Sequence, residues 1–210
     1  MITRIKILFL AALLLATSVT FFPSCGRGPA PTVDSVYDRI VYLVQTAEEV
    51  NTVLFGAGLP TYPRGDAEDN LLHRYYGVND DGFAYVTRYA AFSRIDDMKE
   101  AAAHVYSREY CESVLEAVFT GYRDKDTSAS LPARYREDEK ALWQNGYVDS
   151  LVSGVRSYDF AAMKIVKGSH SRYIKVEIPS RTDDKPDEWV TVRLSLVLED
   201  GQWFLDSPSC

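Results

Sequence analysis

The chain has 210 residues, of which 23 are Lys or Arg and 30 are Asp or Glu, so its formal net charge is −7. This acidic balance argues against a nucleic-acid partner, because phosphate binding requires clustered basic residues. Three cysteines are too few for a disulfide-stapled scaffold, and the length suffices for one domain with a hydrophobic core. The composition therefore favours a globular protein and permits a basic protein partner.

The first 24 residues have the layout of an export signal. Arg4 and Lys6 precede an apolar run over residues 7–19, which Pro23 soon interrupts. A basic start with a short apolar core is typical of a signal peptide, and the run is too short for a membrane span. We therefore predict a signal peptide over residues 1–24. Its removal takes two of the 23 basic residues and none of the 30 acids, which changes the net charge from −7 to −9.

Cys25 follows this segment directly, with the small Ser24 before it. The arrangement resembles the bacterial lipoprotein signal, in which the cysteine thiol receives a diacylglycerol, although Phe22 and Pro23 depart from that pattern. The resemblance implies lipid attachment at Cys25 and a location at the outer face of the cytoplasmic membrane. Secretion without a lipid and an uncleaved anchor remain alternatives. The Gly/Pro-rich residues 25–32 would form a short tether.

Residues 33–55 have the pattern of a long amphipathic helix. Gly56 and Gly58 predict its end, and Pro60 prevents its continuation. Apolar side chains recur at spacings of three and four, which places the following residues on one face: Val33, Val36, Tyr37, Ile40, Val44, Ala47, Val50 and Leu54.

The middle of the chain predicts an extended segment and then a pair of helices. Residues 83–89 alternate aromatic with smaller or polar side chains, as in a strand with one buried face. A first helix over residues 98–106 is expected to begin at a cap formed by Asp96 or Asp97. A second helix, residues 109–119, is expected to follow a cap formed by Ser107.

From residue 155 onward the apolar pattern has a period of two. Four segments predict strands: residues 158–166, 173–178, 189–198 and 203–205. Asp200 and Gly201 between the last two are typical of a tight hairpin. Helices followed by a meander predict one α+β domain over residues 33–210. In it, a long N-terminal helix and a helix pair pack on a curved antiparallel sheet of about four to six strands.

The sequence contains no catalytic or metal-binding motif that we recognise. Its three histidines lie far apart, and its acidic clusters lack the alternating oxygen ligands and fixed glycine of a calcium loop. We therefore predict no catalytic residue, no metal site and no cofactor. Cys111 and Cys210 either form one disulfide in an oxidising compartment or remain thiols.

Two segments together resemble parts of a known family. Residues 93–100 read SRIDDMKE and lead into VYSREY at residues 105–110, and residues 200–208 read DGQWFLDSP. They resemble the DL-endopeptidase inhibitor (IseA) family of exported bacterial proteins. The resemblance implies a protein that is not an enzyme. It also implies a cell-wall hydrolase of the NlpC/P60 type as partner, inhibited by occlusion of its active-site cleft.

An acidic connection between two predicted strands is the first candidate for the inhibitory surface. Asp183, Asp184, Asp187 and Glu188 place four carboxylates on what the pattern predicts to be one exposed loop. An acidic loop of this kind can enter a basic cleft and exclude substrate. We therefore predict partner binding at these four residues.

A small-ligand-binding module is the alternative, since cystatin-like and NTF2-like scaffolds also wrap a sheet on a helix. This hypothesis predicts an apolar pocket between the sheet and the helix of residues 33–55, and a filled core there would argue against it. An enzyme on the same scaffold, with Tyr, Asp and His brought together from distant positions, is a third hypothesis.

Overall fold

The computed structural model describes residues 28–62, 82–123, 130–139, 141–146 and 155–208. The predicted signal peptide, Cys25 and Cys210 lie outside these residues.

The first described element is helix α1, Val33–Leu54, at the position predicted for the long N-terminal helix. Six of the eight residues predicted on its apolar face are buried, whereas Val33 is half-buried and Tyr37 is exposed. At its C-terminal end, the hydroxyl of Tyr135 donates a hydrogen bond of 2.7 Å to the carbonyl of Val53, and Arg134 donates to the carbonyl of Gly56. The Tyr135 hydroxyl thus satisfies one of the last helical carbonyl groups, and Arg134 binds the chain just beyond the helix.

Helix α2, Ile95–Ala103, begins and ends three residues earlier than predicted. The expected cap at Asp96 or Asp97 is wrong, because both residues lie inside the first turn. The backbone N–H of the first helical residue instead donates to Oε2 of Glu137 at 2.8 Å. A carboxylate that is distant in sequence therefore contributes at this helix start, and local pattern cannot reveal it.

The next helical segment runs from residue 108 to residue 120 and contains a π-helical stretch. The predicted cap is confirmed, since Oγ of Ser107 accepts a hydrogen bond of 3.1 Å from the N–H of Tyr110. The segment consists of α3 (Arg108–Tyr110), the π-helical residues Cys111–Leu115, and α4 (Glu116–Thr120).

Five short strands form two small antiparallel sheets. They are β1 (Phe83–Tyr85), β2 (Tyr122–Arg123), β3 (Ser130–Leu131), β4 (Tyr135–Glu137) and β5 (Leu142–Asn145). Strands β1, β5 and β4 pair in that order, and β2 pairs with β3. The strand predicted at residues 83–89 is thus shorter than expected.

The larger sheet is antiparallel and has five described strands. They are β6 (Arg156–Tyr158), β7 (Lys164–Ile165), β8 (Tyr173–Thr182), β9 (Lys185–Glu199) and β10 (Gln202–Leu205). The order is β10-β9-β8-β6, with β7 also on β8. The predicted α+β fold, with helices and a curled antiparallel sheet, is confirmed.

The single strand predicted at residues 158–166 is wrong, because a 3₁₀ turn at Phe160–Ala162 separates β6 from β7. Both strands pair with β8, and the break lies opposite Pro179. Pro179 accepts a hydrogen bond from the N–H of Asp159 but has no N–H to return. The missing donor gives a physical reason for the ladder to stop there.

Helix α1 and the larger sheet share one core. Side chains from both elements are less than 2% exposed: Ile40, Leu43 and Val44 from α1, and Ile174, Ile178, Leu194, Leu196 and Leu205 from the sheet. Arg39 of α1 also donates to the carbonyl of Trp203 at 2.9 Å. This filled contact does not favour the ligand pocket that the alternative hypothesis placed between α1 and the sheet.

Candidate functional site

Strands β8 and β9 extend beyond the core as a hairpin. Alternate β8 residues are fully buried as far as Ser180, but Arg181 and residues 183–191 are exposed on both faces of the ribbon. We call residues 181–190 the hairpin tip. Its side chains project from the body and are the most exposed part of the larger sheet.

A large bulge shapes the hairpin tip. Ser180 pairs with Val190 and Thr182 pairs with Lys185, so the four residues 186–189 lie opposite Arg181 alone. Nη1 of Arg181 donates to the carbonyl of Pro186 at 3.1 Å, and its guanidinium lies 5.0 Å from the ring centre of Trp189. Arg181 thus holds both ends of the bulge, and Trp189 is presented beside it.

The four predicted binding carboxylates all lie in the hairpin tip, but not on one loop. Asp183 and Asp184 form the turn between the strands, whereas Asp187 and Glu188 belong to the bulge within β9. The prediction of one continuous exposed loop is therefore corrected. Strand β9 begins at Lys185 and includes the bulge, although the acidic residues and Pro186 predict a loop there.

The individual contacts of these acids differ. Oδ1 of Asp183 accepts from the N–H of Val155 at 2.8 Å, and Glu188 lies 3.5 Å from Nζ of Lys185. The side chains of Asp184 and Asp187 are exposed, and no side-chain hydrogen bond or ion pair joins either to a described residue. Two of the four carboxylates thus contact described residues, and two point to solvent.

Apolar side chains accompany the carboxylates. Trp189 is 53% exposed, Val190 is 48% exposed, and Val155, which is bonded to the turn, is 67% exposed. The sequence pattern placed Trp189 and Val190 in a strand and gave no sign that this strand runs past the core. Their exposure becomes apparent only from the three-dimensional structure, which shows which part of the sheet is covered by other elements.

The hairpin tip and the first described residue lie at opposite ends of β8. The carbonyl of Gly28 accepts a hydrogen bond of 3.1 Å from the N–H of Ser171, just before β8 begins at Tyr173. Ten strand residues separate that end from the turn, which corresponds to about 30 Å. The hairpin tip therefore lies at the end of β8 that is opposite Gly28.

A shallow groove of about 480 Å³ lies at the N-terminal end of the segment 108–120. Tyr106, Cys111 and Phe204 contribute to its lining, and Arg108 and Glu199 lie at the same groove. Burial, followed by the charges of Glu199 and Glu112, raises the pKa of the Cys111 thiol to about 11. A thiol with this pKa stays protonated near neutral pH, which does not suit a nucleophile.

The remaining predicted site residues are the three cysteines. Sγ of Cys111 lies 3.7 Å from the carbonyl of Tyr106, while Cys210 and Cys25 lie outside the described residues, so the disulfide and the lipid attachment stay predictions.

Within the described ranges, no three His, Cys, Asp or Glu side chains are grouped to hold a metal ion. None of the described helices is long and apolar enough to cross a membrane.

No family model matches the chain, and no curated protein matches it either. The resemblance to the DL-endopeptidase inhibitors therefore rests on the two sequence segments alone.

Proposed function

We propose that this protein is a lipid-anchored, non-enzymatic binding protein outside the cytoplasm, and that it inhibits a cell-wall DL-endopeptidase of the NlpC/P60 type. The observation that carries the proposal is the hairpin tip, a protruding ribbon with four carboxylates and an exposed tryptophan. The partner class comes from the family resemblance.

The chemistry of the hairpin tip suits insertion into a basic cleft. Four carboxylates outnumber the two basic side chains, Arg181 and Lys185, over residues 181–188. Acidic groups at a projecting surface speed association with a positive cleft. A buried aromatic side chain contributes much of the binding free energy and slows dissociation. We expect Asp184 and Asp187 to steer the encounter and Trp189 to slow dissociation.

The placement of the hairpin tip also supports the proposal. A lipid on Cys25 would hold the Gly28 end of the domain near the membrane, and the tip would project about 30 Å toward the wall. An inhibitor held this way would act on hydrolases close to the membrane face.

The test is capture of cell-wall hydrolases by the purified protein, followed by association kinetics and a peptide-stem cleavage assay. Neutralising the tip with D183N/D184N/D187N/E188Q should slow association and flatten its salt dependence. The matched control D34N/D38N/D97N/E100Q makes the same charge change at exposed helix positions and should leave the kinetics unchanged. No captured hydrolase, or equal kinetics for the two variants, would contradict the proposal.

The groove supports a second candidate function, small-ligand binding. Its volume of about 480 Å³ lies in the range of ligand sites, and the apolar rings of Tyr106 and Phe204 line it together with charged side chains. Native mass spectrometry of the chain purified from its host should then show a bound small molecule. The molecule should be absent from Ala103→Trp, whose side chain would fill the groove. A parent chain without any bound molecule would argue against this candidate.

A further inference from the structure

The N-terminal segment contacts the body at Ser171, in the middle of a stretch of chain rich in basic side chains. We propose that residues 164–175 contact anionic lipid head groups and fix the orientation of the domain on the membrane. The inference rests on the lipid anchoring at Cys25 that is part of the proposed function, but not on the identity of any hydrolase. We call residues 164–175 the basic segment.

The basic segment stands out in an acidic protein. It contains Lys164, Lys167, His170, Arg172 and Lys175 and no Asp or Glu, although acids outnumber Lys and Arg by 30 to 23 in the whole chain. Clusters of this kind beside a membrane anchor are attracted to the negative surface of anionic lipids.

Its charges are available to an external partner. The side chains of Lys164, Lys167, Arg172 and Lys175 are exposed, and none of the four forms an ion pair with a residue in the described part of the chain. Nζ of Lys175 lies 5.8 Å from the ring centre of Tyr173, which leaves its charge open to solvent on the other side.

The N-terminal segment places these charges near the proposed anchor. Ser171, in the middle of the loop that carries Lys167 and Arg172, donates its N–H to the carbonyl of Gly28 at 3.1 Å. Cys25 is three residues before Gly28, and three residues span at most about 11 Å. A lipid on Cys25 would therefore hold this loop within about one Debye length of the bilayer surface.

The acids at the same end contact groups outside the basic segment. The carbonyl of Arg172 accepts the N–H of Leu198, so Glu199 and Asp200 lie close by. Both face Arg108, whose N–H lies 3.3 Å from the Glu199 carboxylate and whose Nη2 lies 3.6 Å from Oδ2 of Asp200. Glu177, farther along β8, binds Nε of Arg193 at 2.9 Å.

The test is amine footprinting of the full chain with its lipid on vesicles of phosphatidylglycerol or phosphatidylcholine. Acylation of Lys164, Lys167 and Lys175 should be slower on the anionic vesicles, by about fivefold at Lys167, and high salt should remove the difference. Lys185, in the distant hairpin tip, is the internal control and should react equally on both.

Charge-reversal variants distinguish an effect of the basic segment from an effect of the net charge of the protein. K167E/R172E should abolish the protection of Lys164 and Lys175 on phosphatidylglycerol. R88E/K99E makes the same charge change at exposed positions after β1 and on α2, and should retain the protection. Equal protection in both variants would overturn the assignment.

The outcomes distinguish this inference from its premise. Lipidated chain with Lys167 equally reactive on both vesicles would overturn the basic segment and leave the anchor and the inhibitor proposal standing. Mass spectrometry that finds no lipid on the Cys25 peptide would overturn the anchoring and this inference with it. Loss of hydrolase binding alone would affect neither the lipid nor the footprint.

Discussion

The two ends of the β8–β9 hairpin differ in burial, although the period-two pattern of β9 extends from Trp189 to Leu198. Near Tyr173 and Leu196, alternate side chains are buried against α1, whereas near Trp189 and Arg181 both faces of the ribbon meet solvent. Period-two alternation predicts extended backbone, but burial requires a second layer over the sheet. One end of the hairpin therefore maintains the fold, and the other is exposed to solvent.

The largest expected stability difference follows from this contrast. Leu196→Ala, at a fully buried position, should lower the free energy of unfolding by about 2–5 kcal/mol, because it leaves a cavity in the core. Trp189→Ala should change it by only about 0.5 kcal/mol, since the side chain is half exposed beyond the core. Urea unfolding of both variants measures the difference, and equal losses would contradict the contrast in burial between the two ends of the hairpin.

A second prediction concerns Ser107, which joins a helix start to the last strand of the sheet. Its Oγ accepts from the N–H of Tyr110 and donates to Oδ1 of Asp206 at 2.5 Å. Ser107→Ala should cost about 1–2 kcal/mol of unfolding free energy, because a buried cap is lost. Ser113→Ala, on the exposed side of the same helical segment, is the control and should cost less than about 0.5 kcal/mol.

A third prediction concerns the pH dependence of stability that arises from the Cys111 thiol. Its pKa is raised from 9.0 to about 11, so between these values the unfolded chain carries a thiolate while the folded chain keeps the proton. This contribution to stability is fully present below pH 9 and is lost as pH rises toward 11. Iodoacetamide at pH 9 should therefore modify the Cys111 peptide far more slowly in the native protein than in urea. Equal rates in both would mean that the thiol is not buried as described.

The smallest expected effect lies in the hairpin tip. Glu188→Gln removes an exposed ion pair with Lys185 and should change the free energy of unfolding by less than about 0.5 kcal/mol. A loss above about 1 kcal/mol, measured by urea unfolding, would show that the bulge depends on this pair and that the tip is more structural than we infer.

Local sequence signals predicted the elements whose causes are local. The spacing of apolar residues located α1, Ser107 revealed a helix start, and Asp200–Gly201 revealed a hairpin, in which φ is 49° and 81°. The Gly201 backbone needs the positive φ that glycine adopts freely.

Other features depend on residues that are distant in sequence. The start of α2 is bonded to Glu137, the break between β6 and β7 lies opposite Pro179, and the bulge at residues 186–189 is held by Arg181. The four acids of the candidate site could be named from the sequence. The exposed Trp189 beside them could not, because its exposure depends on where the covering helix ends.

The proposed inhibition through the hairpin tip is tested by assaying a purified NlpC/P60-type DL-endopeptidase with the parent protein, Trp189→Ala and Tyr89→Ala. Tyr89 is 77% exposed and lies outside the hairpin tip, so it controls for loss of any exposed aromatic residue. We predict inhibition by the parent and by Tyr89→Ala, and a loss of at least about thirtyfold in potency for Trp189→Ala, as expected for a binding anchor. Equal potency of all three proteins, or no inhibition by the parent, would contradict the proposal that the hairpin tip inhibits the hydrolase.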